Sequence, residues 1–126
     1  MQFFRKQCGG RAVRLAAGMI LMLGLCACDS GDWSHTPPAG MGSIIVDNRT
    51  ADGVHVYLEG AYAKPVSDFD NETFDLAPGI HRVVLDESHG SRNWRGDVDV
   101  LEGKLTVLEV SGDYAGSDYD VRIYFD

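Results

Sequence analysis

From Gly42 onward, apolar and polar residues alternate in short runs broken by turn residues, with no helical spacing anywhere. Val54, Val56 and Leu58 fall on one side of their run, with His55 and Tyr57 on the other. His81, Val83 and Leu85 alternate with Ile80, Arg82 and Val84, and Trp94, Val98 and Val100 with Arg95, Asp97 and Asp99. Near the end, Tyr119, Val121, Ile123 and Phe125 alternate with Asp120, Arg122 and Tyr124. A period of two predicts strands with one buried face. Ser43–Val46, Thr73–Leu76 and Leu105–Val110 complete the set, and Ala61-Tyr62-Ala63 follows the turn at Glu59-Gly60. Asp52-Gly53, Pro78-Gly79 and Glu102-Gly103 mark further turns. Pro65 has no N–H to donate, which bars Lys64-Pro65 from a central strand position. About seven short strands at this spacing predict an all-β fold, a small antiparallel two-sheet β-sandwich.

The first 41 residues follow other rules. Met1 to Arg14 is basic, and Leu15 to Ala27 is uncharged and apolar on every side. That run has secretory-signal length and falls short of the ~20 apolar residues a spanning helix needs. It ends in Leu25-Cys26-Ala27-Cys28, directly before acidic sequence. These four residues resemble a bacterial lipoprotein signal, in which Leu, a tolerant position and a small residue precede the modified Cys. The resemblance implies a diacylglyceryl thioether on the sulfur of Cys28, cleavage after Ala27 and palmitate-type acylation of the new amino group. More than one chain is needed for stable anchoring. Asp29 after the modified Cys resembles an inner-membrane retention signal of enterobacterial lipoproteins. Asp29 to Met41, with Ser, Gly, Asp and Pro37-Pro38, reads as an extended tether. The expected organisation is therefore a signal peptide over 1–27, a lipidated tether over 28–41 and one domain over 42–126.

Within that domain, Ala51-Asp52-Gly53-Val54 precedes His55-Val56-Tyr57-Leu58-Glu59-Gly60, Lys64-Pro65 follows, and Leu76, Pro78, Gly79, His81 and Val83 form a second group. This arrangement resembles the PEGA domain, a small β-sandwich of bacterial envelope proteins, over roughly residues 43–110. Three of the four eponymous positions differ, and the acidic loop after Pro65 is long. The resemblance implies an envelope binding module without catalytic residues.

Charge divides the chain at the same place. Arg5, Lys6, Arg11 and Arg14 precede Cys28 and no acidic residue does, which leaves 7 basic against 19 acidic residues from Cys28 onward, net −12. Such a surface repels phosphate backbones and anionic headgroups, so no nucleic-acid partner is expected and membrane contact would come through the lipid. After cleavage Cys28 would be the single remaining cysteine, which excludes internal disulfides and Cys-type zinc sites.

The candidates for chemistry are few. Asp68, Asp70 and Glu72, with Asn71 and Asp75 nearby, form the densest oxygen cluster and the leading Ca²⁺ candidate. Thr73 stands where an EF-hand loop requires Gly, and acidic runs usually face water. Asp113, Asp118 and Asp120 are a second acidic group of the same kind. His35, His55, His81 and His89 show no metal-ligand spacing, and His81 reads as a packed, hydrogen-bonded residue. Asp97 and Asp99 share one strand face, the ordinary look of a polar face, and no nucleophile motif is present. Asn48-Arg49-Thr50 and Asn71-Glu72-Thr73 match the glycosylation sequon by chance if the source is bacterial. Tyr57, Tyr62, Tyr114 and Tyr124 fall on outward faces or loops, where Tyr favours recognition. No cofactor beyond the covalent lipid is expected. The expected function is a membrane-anchored, non-enzymatic binding module of the cell envelope, with an envelope protein or cell-wall glycan as partner. The alternative is a structural lipoprotein subunit of an envelope secretion or assembly complex.

Overall fold

The computed structural model of the chain describes residues 33–112 and 118–126. Cys28, Asp29, Asp113 and Tyr114 lie outside the described residues. The compact unit of the domain spans His35–Asp126.

Eight strands form where the alternation places them: β1 (Gly42–Asn48), β2 (Val54–Leu58), β3 (Ala61–Val66), β4 (Asn71–Leu76), β5 (Gly79–Glu87), β6 (Asn93–Val100), β7 (Leu105–Gly112) and β8 (Tyr119–Phe125). They make two four-stranded sheets, ordered β4-β1-β7-β8 and β3-β2-β5-β6. Eight exceeds the seven or so expected because Ala61–Val66 pairs with β2 along its length, Pro65 included. As an edge strand, β3 tolerates the missing N–H.

Pairing is antiparallel except between β1 and β7, which run parallel with Ile45 opposite Val107. This departs from an all-antiparallel sandwich. Alternation assigns residues to faces and says nothing about which strands become neighbours; here the chain crosses to the second sheet and back before β7 settles beside β1.

The inner faces meet in one core. Ile44 and Val46 of β1, Leu108 and Val110 of β7, Val54 and Val56 of β2 and Val83 and Leu85 of β5 are fully buried. Each such side chain contributes roughly 1.5–3 kcal/mol by leaving water. Trp94 and Leu58 close the margins of this core. On the second face of the first sheet, Thr73, Ile45, Val107 and Tyr124 make one cross-strand row. The neighbouring charged row is chained, with Arg49 bonded to Asp47 and Glu109 and Arg122 bonded to Glu109. Arg122 holds the Glu109 carboxyl below its usual range, with Arg49 adding to the effect.

The strand directions sort the connections into two ends. At the proximal end, where residues 35–41 lead into β1, lie the turns at Glu59-Gly60, Ala77-Pro78 and Leu101–Lys104. At the opposite, distal end lie the connections Arg49–Gly53, Ser67–Asp70 and Ser88–Arg92.

Candidate functional site

At the distal end, β1 finishes in a buried amide. Asn48 is fully buried, and its Nδ2 donates to Asp52 O (2.8 Å), Ser67 O (3.1 Å) and Val66 O (3.3 Å). Its Oδ1 accepts from the backbone N–H and hydroxyl of Thr50. One side chain thereby ties the β1–β2 connection to the β3–β4 connection. The backbone adds to the tie, since Phe69 N–H donates to Thr50 O and Asn48 N–H to Asp70 O.

Asp52 then holds the third connection. Its Oδ2 accepts the His89 backbone N–H at 2.9 Å, and Oδ1 lies 2.8 Å from His89 Nδ1. The hydrogen bond to Asp52 raises the His89 pKa, and the same bond is the largest cause of a lowered Asp52. Glu87 closes this connection by accepting from the Arg92 backbone N–H and guanidinium.

The product of this bracing is Phe69. Its φ is +52°, a left-handed conformation that costs an L residue about 1–2 kcal/mol. The residue is 69% exposed, the most of any large apolar residue described. A rigid turn thus holds an aromatic ring out in water between Asp68 and Asp70, both exposed.

The sequence-derived candidates distribute otherwise. Asp68 and Asp70 sit in this distal turn, but Glu72 belongs to β4 and pairs with Lys64 Nζ at 2.8 Å. Asp75 lies toward the proximal end, where it accepts from Ser43 Oγ and sits 2.7 Å from His35 Nε2, and these bonds lower its pKa. The structure therefore does not gather Asp68, Asp70 and Glu72 at one point. Among the described residues no group of three His, Cys, Asp or Glu side chains is placed to hold a metal ion. The His35 contact also means that residues 35–41 fold back on the domain instead of running free, helped by a turn in which Met41 N–H donates to Pro38 O.

His81 faces inward, with Nε2 2.7 Å from Ala77 O and Nδ1 2.8 Å from Glu59 Oε2, the latter off hydrogen-bond geometry. It braces two proximal turns. Asp97 and Asp99 are both exposed on the outer face of the second sheet, and Asp97 is bonded to Arg82 Nε at 2.6 Å. His55, Tyr57 and Tyr62 cluster on that face, with Tyr62 edge-on to Tyr57 at 5.4 Å and to His55 at 5.6 Å. Such tilted cross-strand pairs stabilise a sheet, and their edge-on geometry offers no flat stacking platform. Tyr124 lies on the first sheet beside Arg122, whose guanidinium carbon is 5.2 Å from the ring centre. Asp118 and Asp120 are exposed at the start of β8.

Phe69 and the Asn48 knot had no part in the sequence-derived site. The signal available was Asn48-x-Thr50-x-Asp52-Gly53, in which short polar side chains can bond their own backbone.

No family model matches the chain, and no curated protein matches it. Among solved structures, it is similar to the N-terminal domain of AlgF from P. aeruginosa, at 13% identity and a TM-score of 0.49, covering 68% of this chain and 95% of that one. It is also similar to a protein from Eubacterium rectale, at 16% identity and a TM-score of 0.46, covering 76% and 93%.

Proposed function

We propose that this chain is a membrane-anchored bacterial lipoprotein of the cell envelope whose PEGA-like β-sandwich is a non-catalytic interaction module. The carrying observation is the placement of Phe69. Residues 35–41 lead into β1 at the proximal end, and the distal end lies at the other end of the strands. There Phe69 stands 69% exposed in a left-handed turn pinned from two sides. Backbone strain kept at an exposed position is a feature of recognition surfaces. An aromatic ring on a pre-ordered loop binds with little loss of freedom, which favours a protein partner with an apolar pocket. Acidic flanks at Asp68 and Asp70 fit a basic rim around that pocket. Location and binding then divide between two residues: the lipid on Cys28 places the domain, and Phe69 engages the partner.

The test compares wild-type, Cys28→Ser and Phe69→Gly chains in bacterial membranes labelled with a palmitate analogue and treated with a cross-linker. Cys28→Ser is expected to lose the label and leave the membrane fraction. Phe69→Gly is expected to keep both and to lose the cross-linked protein. A Cys28→Ser chain that stays labelled and membrane-bound contradicts the anchor; a Phe69→Gly chain with the wild-type cross-link contradicts the site.

A further inference from the structure

We propose that the free edge of β8 pairs with β8 of a second copy of this chain, antiparallel about a two-fold axis through Val121. This edge shares no residue with the Cys28 anchor or the Phe69 turn.

β8 ends its sheet, and among the described residues only β7 pairs with it. The direction of its backbone groups follows from its last pair. Leu105 and Asp126 exchange both N–H···O bonds, at 3.4 and 2.9 Å. Alternate residues back from Asp126, namely Tyr124, Arg122 and Asp120, therefore also turn their backbone groups toward β7. Tyr119, Val121 and Ile123 turn theirs to the open side, a row of donors and acceptors ready for another strand.

The other three edges differ from that of β8. β3 carries Pro65 and a register shift opposite Val56 and Tyr57. Beside it, Lys64 of β3 and Glu72 of β4 join across the open side of the sandwich at 2.8 Å. β6 already buries its inward Val98 and Val100 to 1% exposure. β8 alone leaves inward-facing apolar residues wet, with Ile123 at 42% and Phe125 at 53%. Covering that margin removes apolar surface from water, a gain the other edges do not offer.

Charge selects the partner and the register. A two-fold axis normal to the sheet keeps each face on its own side, so outer residues oppose outer ones. An axis at Arg122 sets guanidinium against guanidinium, and one at Asp120 sets carboxylate against carboxylate. An axis at Ile123 opposes Asp120 to Asp126. An axis at Tyr124 would set Arg122 against Asp126, but it aligns only Ile123–Phe125 within β8 where the Val121 axis aligns Tyr119–Ile123. The axis at Val121 opposes Asp120 to Arg122 of the second copy, twice by symmetry, with Tyr119 facing Ile123 on the inner side. Those charged residues form non-hydrogen-bonded pairs, in which side chains approach most closely, and opposite charges there favour pairing while like charges oppose it. Arg122 already bonds Glu109 through Nε and Nη2, and its remaining donors are on hand for Asp120 of the second copy. The strand is self-complementary, as an isologous contact requires.

The experiment is detergent-matched sedimentation of the full chain over a concentration series, with Asp120→Arg, Arg122→Asp and the doubly reversed chain. The wild type is expected to show a concentration-dependent dimer, each single reversal to weaken it by about tenfold or more, and the double reversal to restore most of the affinity. If Arg122→Asp unfolds the chain by facing Glu109, Asp120→Arg still decides, because it leaves the Arg122–Glu109 bond in place. A wild type that stays monomeric throughout overturns the proposal. So does a dimer that Asp120→Arg leaves unchanged, or one that a folded doubly reversed chain fails to restore.

Discussion

The two ends of the sandwich solve the same problem, reversing the chain, with different residues. At the proximal end the left-handed positions are Gly40, Gly60, Gly79 and Gly103, with Glu59 the single exception. Glycine has no Cβ to clash, so those four positions are free of strain, whereas Glu59 at φ +52° carries the same kind of cost as Phe69. At the distal end the left-handed position among the described residues is Phe69, which does carry a Cβ. It persists because Asn48, Thr50 and their backbone partners leave the loop no alternative. Turns that merely connect are filled by the residue that fits best. A turn that holds an aromatic ring in water against its own preference is what the proposed interaction role of Phe69 would explain.

Removing the distal brace is the largest way to break this contrast. Asn48→Ala takes a donor from three buried or half-buried carbonyls, of which Asp52 O keeps the Thr50 hydroxyl at 2.9 Å, and at about 1–3 kcal/mol for each poorly satisfied group the expected loss is about 3 kcal/mol in urea unfolding. Amide exchange should rise at residues 49–53 and 67–70 while the proximal turns keep their protection. Next come paired substitutions of opposite sign. Gly60→Ala, at φ +84°, is expected to cost about 1 kcal/mol. Phe69→Gly relieves its strain and, after the added freedom of the unfolded chain, is expected to gain about 0.5 kcal/mol. A loss at both positions would erase the distinction.

The pH dependence of the distal clamp is a smaller effect. His89 has a raised pKa, so its contribution is present below the ordinary 6.5 and is lost as pH rises through the raised value. Asp52 has a lowered pKa, so its contribution is present above the ordinary 3.8 and is lost as pH falls through the lowered value. Melting temperature should therefore peak between these values relative to a His89→Ala chain, with the two curves converging at alkaline pH. Tyr119→Phe is expected to change least. The Tyr119 hydroxyl is buried with no hydrogen-bond partner among the described residues, and burial pushes its pKa up. Removing that hydroxyl should leave stability within about 0.5 kcal/mol of wild type, or raise it slightly.

Much of the fold was legible because alternation is a direct record of burial. The inward rows Val54–Val56 and Val83–Leu85 are fully buried, and Pro65 lies on an edge strand for the reason its missing N–H dictates. The parallel β1–β7 pair was not legible, since two adjacent strands share an alternation whichever way they run. The candidate site was harder to read. Asp68, Asp70 and Glu72 look like one oxygen cluster in a line of sequence, yet the strand boundary at Asn71 sends Glu72 to Lys64. Asn48-Arg49-Thr50 looks like a sequon, although its amide is consumed inside the knot. Phe69 carries no signal at all, because a left-handed turn is normally announced by Gly or Asn and here has neither.

The most direct test of the interaction surface places a photo-activated phenylalanine analogue at residue 69 or at residue 60 of the full chain in intact membranes. The account predicts one discrete protein adduct from residue 69 and none from residue 60. No adduct from residue 69, or the same adducts from both ends, would contradict it.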